Sequence, residues 1–164
     1  MIVNGKKVTL FVVLFALFGL YSCSSTKKSG EPVTQKTDYV MEVNGDSDSG
    51  TAGLLKTVNF DFDSSVIRSD TQDTLDANIV YLNEHHEVEI QIEGHCDERG
   101  SAQYNLALGD RRSRAVFDYL VANGVNENRL SMISYGKEKP IAFGHSEDAW
   151  SQNRRANFVI RKLR

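Results

Sequence analysis

Apolar and polar residues alternate at four places in the last two thirds of the chain. An apolar residue at every second position is typical of a strand with one buried face. The four strands that this pattern predicts lie near residues 58–62, 88–92, 130–134 and 157–161. The second strand leads directly into residues 94–97, so we expect that segment where a strand ends and a loop begins.

Between the first two strands the apolar spacing changes to three and four residues, which predicts a helix. Leu75, Ile79 and Leu82 follow that spacing, and Ser69 or Asp70 is a suitable N-cap. Two further helices are expected, one from Ser101 as N-cap to about Asn123 before Gly124, and one from Glu147 to Gln152. The order βαβαβ, a short helix and a last strand favours an α+β fold, a two-layer α/β sandwich with the helices on one sheet.

The second helix carries an arginine on its apolar side. Leu108, Arg112, Val116 and Leu120 are four residues apart, so Arg112 shares the face that packs on the core. An unpaired guanidinium away from water costs several kcal/mol. We therefore expect Arg112 to pair with a carboxylate, either that of Asp97 in the protein or that of a ligand.

The first 22 residues are typical of a secretory signal. Lys6 and Lys7 precede the largely apolar 13-residue run Val8–Leu20. A membrane-spanning helix needs about 20 apolar residues, so this run is too short to span comfortably. The sequence Leu20-Tyr21-Ser22-Cys23 resembles a bacterial lipobox, and we expect Cys23 to be the lipidated first residue of the mature protein.

An ordinary signal peptide that leaves a soluble periplasmic protein is the alternative, because Tyr21 is bulkier than the usual lipobox residue. Each buried methylene of a lipid contributes about 0.8 kcal/mol, so two or three acyl chains hold a protein on a membrane durably. By resemblance to lipoprotein sorting in bacteria with two membranes, Ser24 predicts the periplasmic face of the outer membrane.

Residues 23–53 are predicted to form a lipidated N-terminal flexible linker. From Ser24 to Gly53 the chain is rich in small and polar residues, with few large apolar ones. The segment Tyr39–Val43 alternates briefly; a short strand or a partner-binding patch is possible there, but we favour disorder. Residues 54–164 then form one domain of ordinary size.

Charge and residue types exclude several classes of function. Without residues 1–22 the chain has 142 residues, with 17 Lys and Arg against 22 Asp and Glu, a net charge of −5. This balance, without a basic stripe, argues against nucleic-acid binding. We expect no cofactor and no metal site, because the histidines lack the spacing of metal-binding motifs.

Three motifs in order resemble one known family. They are GHCDERGSAQYNLALGDRRSRAVFDYL from residue 94, SYGKEKP from residue 134 and NRRANFVI from residue 153. Over about residues 55–164 the chain is similar to the OmpA-like peptidoglycan-binding domain family, and within it to the peptidoglycan-associated lipoproteins. The resemblance implies a non-enzymatic protein that binds the diaminopimelate of the peptidoglycan stem peptide, tethers the outer membrane to the cell wall and engages Tol-system proteins in cell division.

The resemblance also implies roles for individual residues. Asp97 and Arg112 match the family's key pair, in which Arg112 suits the carboxylate and Asp97 the ammonium that diaminopimelate carries on one carbon. A structural ion pair between the two is the alternative. The other implied ligand-binding residues are Phe62, Asp63, Asn105, Leu106 and Arg99.

Cys96 stands where this family usually has Thr or Ala. It leaves one enzymatic alternative, a cell-wall amidase or cysteine peptidase with Cys96 as nucleophile. Neighbours on an extended chain point to opposite sides, which directs His95 away from the thiol. We therefore interpret Cys96 as a small, half-buried thiol without a catalytic role.

Overall fold

The computed structural model describes residues 45–163, apart from the side chains of residues 162 and 163. Its elements are β1 (Val58–Asn59), α1 (Ser69–Glu84), β2 (Val88–His95), α2 (Ala102–Ala122), a 3-10 helix (Glu127–Arg129), β3 (Leu130–Gly136), α3 (Glu147–Asn153) and β4 (Arg155–Leu163). The predicted signal, the lipobox and the linker up to residue 44 lie outside the described residues. Within residues 45–163, no helix has the length and apolar character needed to cross a membrane.

The four strands form one sheet in the order β1-β4-β2-β3. β3 runs parallel to β2, whereas β4 is antiparallel to both of its neighbours. The register pairs Gly94, near the end of β2, with Ser134 of β3 on one side and Ala156 of β4 on the other. The loop that follows β2 therefore emerges from the centre of the sheet, and the α+β class predicted from the sequence is confirmed.

The core lies between the sheet and the two long helices. Its buried members include the residues that set the sequence periodicity: Leu75, Ile79 and Leu82 from α1, Val116 and Leu120 from α2, and Val88, Ile90 and Ile92 from β2. Fully burying one side chain of this size contributes about 1.5–3 kcal/mol. This shared burial fixes which side of α2 meets the sheet.

The first strand is shorter than the alternating pattern predicts. β1 covers only Val58–Asn59, although the buried Phe60 still donates its main-chain N–H to the Arg154 carbonyl oxygen at 2.8 Å. The chain then turns at Phe62 and Asp63, and Asp63 has a φ of 54°. A left-handed residue does not continue a strand, so Phe62 lies on a loop and is 58% exposed.

The helix ends match the predictions in α2 but not in α1. The N-cap of α1 is Arg68, and no side chain caps it, so the assignment of Ser69 or Asp70 was wrong. Asp70 lies instead in the first helical turn, where a carboxylate is favourable. Ser101 caps α2 as predicted, and Gly124, with a φ of 95°, follows its end.

Residues 45–53 pack along β4, although the sequence assigned them to the flexible linker. Gly45 and Ala52 are buried. The Ile160 N–H donates to the Gly45 carbonyl oxygen at 2.7 Å, and the Ser47 N–H donates to that of Phe158 at 3.0 Å. Main-chain hydrogen bonds therefore hold a segment whose small polar side chains gave no apolar pattern.

Candidate functional site

The end of β2 and the first half of α2 approach each other at two glycines. A Cβ on Gly94 would lie 1.9 Å from the carbonyl oxygen of Gly109, so no larger residue fits at Gly94 without displacing the helix. One turn farther along α2, the Arg112 Nη1 donates to the carbonyl oxygen of His95 at 2.7 Å. The helix face that carries Arg112 is thus set directly against the loop that begins at Asp97.

A pocket of about 140 Å³ opens at this junction. Six of the residues that the sequence assigned to ligand binding line it, namely Phe62, Asp63, Asp97, Arg99, Asn105 and Arg112. Leu106 does not: its side chain is 52% exposed, and its carbonyl oxygen accepts a hydrogen bond from Ser134. Adjacent helical residues point about 100° apart, so the buried Asn105 faces the pocket and Leu106 does not.

Asp97 is buried, and its carboxylate pairs with two arginines other than Arg112. Oδ1 accepts from the main-chain N–H of Arg99 at 3.1 Å and from its Nε at 3.2 Å. Oδ2 accepts from Arg99 Nη2 at 2.6 Å and from Arg154 Nη1 at 3.4 Å. Burial alone would raise the pKa of Asp97, but the hydrogen bonds from Arg99, followed by that from Arg154, bring it below its ordinary value. Asp97 therefore presents an ionised carboxylate at neutral pH.

Arg112 is fully buried, and main-chain oxygens take the place of the carboxylate expected from the sequence. Its Nε donates to Ser64 at 2.8 Å, Nη1 to His95 at 2.7 Å and Nη2 to Asp61 at 3.0 Å. Among the described residues, Arg112 and Asp97 therefore do not form the structural ion pair that was the alternative interpretation of the sequence. Burial lowers the pKa of Arg112, but a guanidinium stays charged at neutral pH. The bonds to main-chain oxygens use three of the five N–H donors of Arg112, and its guanidinium also lies beside the Cys96 thiol.

Arg154 links three parts of the site. Its Nε donates to the carbonyl oxygen of Phe60 at 3.1 Å, Nη1 faces Asp97, and Nη2 pairs with Glu147 of α3. Arg154, which belongs to the third sequence motif, therefore has a structural role, and it also forms part of the pocket wall.

Phe62 and Tyr104 lie on the exposed side of the pocket. The Arg99 Cζ lies 3.9 Å from the centre of the Phe62 ring, within the range of a cation–π contact. The Tyr104 hydroxyl donates to Asp63, and this hydrogen bond raises the pKa of Tyr104. The loop after β1 is thereby joined to the first turn of α2.

Cys96 and His95 lie on opposite sides of the chain, as predicted. The buried Cys96 lines the pocket, and its Sγ donates to the Asn105 carbonyl oxygen at 3.3 Å. Burial raises the pKa of the Cys96 thiol, although Arg112 opposes this effect. His95 is buried elsewhere, with its Nε2 3.6 Å from a Glu93 carboxylate oxygen. In the described part of the chain, no three His, Cys, Asp or Glu side chains are arranged to hold a metal ion.

Five pocket residues were not among those assigned to ligand binding from the sequence: Cys96, Gly100, Tyr104, Leu108 and Arg154. Leu108 shares the apolar stripe of Arg112, so its spacing indicated the core alone. The signal for Arg154 was its motif. Tyr104 gave no signal, because its contact with Asp63 joins positions 41 residues apart.

Comparison with known proteins identifies the family of the segment that contains this pocket. The model of the OmpA family matches residues 59–154, a segment that contains every residue lining the pocket. The chain belongs to the OmpA family. The resemblance inferred from the three sequence motifs is therefore confirmed.

Two relatives and one solved structure that resemble this chain carry the same name. The peptidoglycan-associated lipoprotein of Brucella melitensis is 47% identical over 116 residues, which cover 71% of this chain and 69% of the relative. That of Mesorhizobium japonicum is 40% identical over 148 residues, covering 90% and 88%. The crystal structure of the peptidoglycan-associated lipoprotein from Burkholderia pseudomallei has a TM-score of 0.61 and 45% identity, and the match covers 63% of this chain and 88% of that one.

Proposed function

We propose that this protein is an outer-membrane lipoprotein that binds peptidoglycan non-covalently through the diaminopimelate of the stem peptide. The observation that carries the proposal is the presence of the Asp97 carboxylate and the Arg112 guanidinium in the walls of one pocket. Diaminopimelate carries an ammonium and a carboxylate on one carbon at its far end. A small pocket lined by fixed charges of both signs suits that group.

The Arg112 guanidinium and the Asp97 carboxylate are held by different sets of hydrogen bonds, so each can bind a ligand in a different way. Arg112 is held by three carbonyl oxygens, and its guanidinium in the pocket wall can donate an N–H that these bonds do not use to a ligand carboxylate. Asp97 has all its oxygen positions in contact with arginine, of which the 3.4 Å contact with Arg154 is the longest. A ligand ammonium can replace that contact at least cost, because Arg154 keeps Glu147 as a partner.

The state of Cys96 supports a binding protein over a cell-wall hydrolase. A nucleophilic cysteine needs an accessible thiolate beside a base or a cation that lowers its pKa. The Cys96 thiol is 3% exposed, and burial raises its pKa. His95, the nearest histidine in sequence, packs beside Glu93 instead.

We further propose that lipid on Cys23 anchors the protein in the outer membrane, facing the periplasm. The lipobox at residues 20–23, and relatives that are named lipoproteins, support this anchor. A protein that is anchored at one end and grips peptidoglycan at the other tethers the membrane to the cell wall. The family resemblance supports our further proposal of a role with Tol-system proteins in envelope integrity and cell division.

The test is a calorimetric titration of the folded protein with a stem peptide that contains diaminopimelate. A peptide with lysine at the same position is the matched ligand, because lysine lacks only the second carboxylate. We expect the lysine peptide to bind at least about tenfold more weakly, since it offers Arg112 no partner. Equal affinity for the two peptides would contradict the proposed recognition.

Two protein variants complete the test. Asp97→Asn removes the charge that faces the ligand ammonium, and we expect it to lose retention on purified sacculi. Asp118→Asn changes an exposed acid on α2 outside the pocket and should be retained normally. Release of soluble fragments from the sacculi would show an enzymatic activity in place of simple binding.

A further inference from the structure

The loop that carries Asp97 and Arg99 is held from outside the pocket by a residue of α3. The Trp150 indole N–H donates to the Glu98 carboxylate Oε1 at 2.8 Å. The same indole ring lies 4.1 Å from the Arg99 Cζ, measured to the ring centre. Trp150 thus contacts two consecutive residues of the loop, although it does not line the pocket.

Arg99 contacts both Trp150 and Asp97 and therefore connects them. Its guanidinium lies between the rings of Phe62 and Trp150, with Cζ 3.9 and 4.1 Å from the two ring centres. From that position Nε and Nη2 reach the two oxygens of the Asp97 carboxylate at 3.2 and 2.6 Å. A cation between two aromatic faces has few alternative positions, so the rings fix the direction of the fork that orients Asp97.

Glu98 and the neighbouring main chain make further contacts that hold the same loop. Its Oε1 also contacts the Nδ1 of His145 at 2.6 Å, while Lys137 donates to the carbonyl oxygens of Glu98 and Gly100 at 3.2 and 2.7 Å. Hydrogen bonds from His145 first and Trp150 second lower the pKa of Glu98, which keeps this acceptor ionised. Trp150 is the member of this network that also touches Arg99.

We propose, on the basis of the peptidoglycan-binding function above, that Trp150 is a positioning residue for the ligand site. By holding Glu98 through its N–H and Arg99 through its ring, it sets the Asp97 carboxylate for a ligand ammonium. The ligand does not touch Trp150 directly. Its affinity nevertheless depends on the indole, and a ligand that engages Asp97 changes the surroundings of the indole through Arg99.

The chain contains one tryptophan, so its fluorescence reports on Trp150 alone. We expect the emission of the wild-type protein to shift as the diaminopimelate peptide is added, with the midpoint that calorimetry gives. Asp97→Asn should abolish the shift. A wild-type protein that binds the peptide by calorimetry with unchanged emission would overturn the link between Trp150 and the site.

Substitutions test the two contacts separately. We expect Trp150→Ala to weaken peptide binding about tenfold, because both contacts are lost. Trp150→Phe keeps a ring against Arg99 and should restore about half of that loss on a logarithmic scale, to about threefold below the wild type. Glu98→Ala removes the N–H acceptor at an exposed position and should also weaken binding about threefold, independently of any damage to α3. Phe143→Ala, which removes an 85% exposed ring in the preceding loop, is the matched control and should bind normally.

The outcomes separate this inference from the proposed function. If Trp150→Ala and Glu98→Ala both bind within about twofold of the wild type while Asp97→Asn fails to bind, the positioning role is wrong and peptidoglycan binding stands. If Asp97→Asn also binds normally, the proposed site itself is wrong. Thermal unfolding of each variant identifies the folded fraction to which the affinities refer.

Discussion

Gly94 in β2 and Gly109 in α2 are in main-chain contact, so that a Cβ built on Gly94 would lie 1.9 Å from the Gly109 oxygen. This contact brings the helix close enough to the strand end for Arg112 to reach the carbonyl oxygen of His95. The contact between strand and helix therefore determines the shape of the pocket as well as the packing of the core.

The first prediction concerns Gly94→Ala. The added methyl group meets main-chain atoms of Gly109 that have no rotamer to change, so the helix must move. We expect a loss of about 3 kcal/mol in the free energy of unfolding, measured by urea denaturation, and weaker peptide binding by the protein that remains folded. Gln103→Ala, at an exposed position in the first turn of α2, should change stability by less than about 0.5 kcal/mol. Equal stability of the two variants would contradict the assigned contact.

The second prediction separates the structural and binding roles of Arg112. Arg112→Ala leaves the oxygens of Ser64, His95 and Asp61 without their donor, and we expect a loss of at least about 3 kcal/mol in the free energy of unfolding. Arg112→Lys keeps the charge but not the planar fork, so it should cost less stability and still bind the peptide more weakly. Wild-type stability of Arg112→Ala in urea denaturation would contradict this account.

The parts of the fold that the sequence predicted are those set by local periodicity. β2 and α2 each present a long run of one period, and both were found near the expected residues. β1 was overestimated because Phe62 continues the apolar alternation, although the strand ends at Asn59 and the chain turns at Phe62 and Asp63. The alternation of apolar and polar residues does not reveal the backbone conformation that ends a strand.

Six of the residues that line the pocket were predicted from the sequence, but the pairings of their side chains were not. The motif placed Asp97 and Arg112 at one pocket, whereas their partners come from distant segments. Arg154 reaches Asp97 across 57 positions, and Ser64 accepts from Arg112 across 48. Trp150 was visible only as part of a short predicted helix, because its contact with Glu98 depends on the tertiary fold.

The third prediction is a pH dependence that originates at His95. Burial lowers the pKa of His95, against the opposing effect of Glu93. As pH falls below about 6.5, the unfolded chain binds a proton at this residue before the folded protein does, so stability decreases until the folded pKa is reached. The lowered pKa of Asp97 acts in a separate, more acidic range, below about pH 4.

Urea unfolding between about pH 8 and pH 5 measures the His95 effect. His95→Phe keeps an aromatic ring and loses no hydrogen bond shorter than 3.5 Å, although it also loses the 3.6 Å contact of Nε2 with Glu93. We expect this variant to show a weaker pH dependence than the wild type. His86→Gln, at an exposed position after α1, should keep the wild-type slope. An unchanged slope in His95→Phe would assign the effect to other groups.

The fourth prediction concerns the anchor at Cys23. With Ala at this position the lipobox has no thiol to modify, so we expect Cys23→Ala to lose fatty-acid labelling and to leave the membrane fraction. Its folded domain should still bind sacculi, because the proposed lipid and the pocket belong to different segments. Labelling that persists in the variant would contradict the lipobox assignment.

The last prediction concerns Cys96, where the binding and enzymatic interpretations differ most. The thiol donates to the Asn105 carbonyl oxygen, a role that the hydroxyl of threonine can take over in about the same volume. We expect Cys96→Thr to change the free energy of unfolding by less than about 1 kcal/mol and to leave peptide affinity unchanged. Cys96→Val has a similar shape without a donor and should be the less stable of the two by up to about 1 kcal/mol.

Because burial raises the pKa of the Cys96 thiol, the wild-type protein should also react slowly with a thiol reagent at neutral pH. Stem peptides released from sacculi by the wild-type protein, but not by Cys96→Thr, would instead require a hydrolytic role for this thiol.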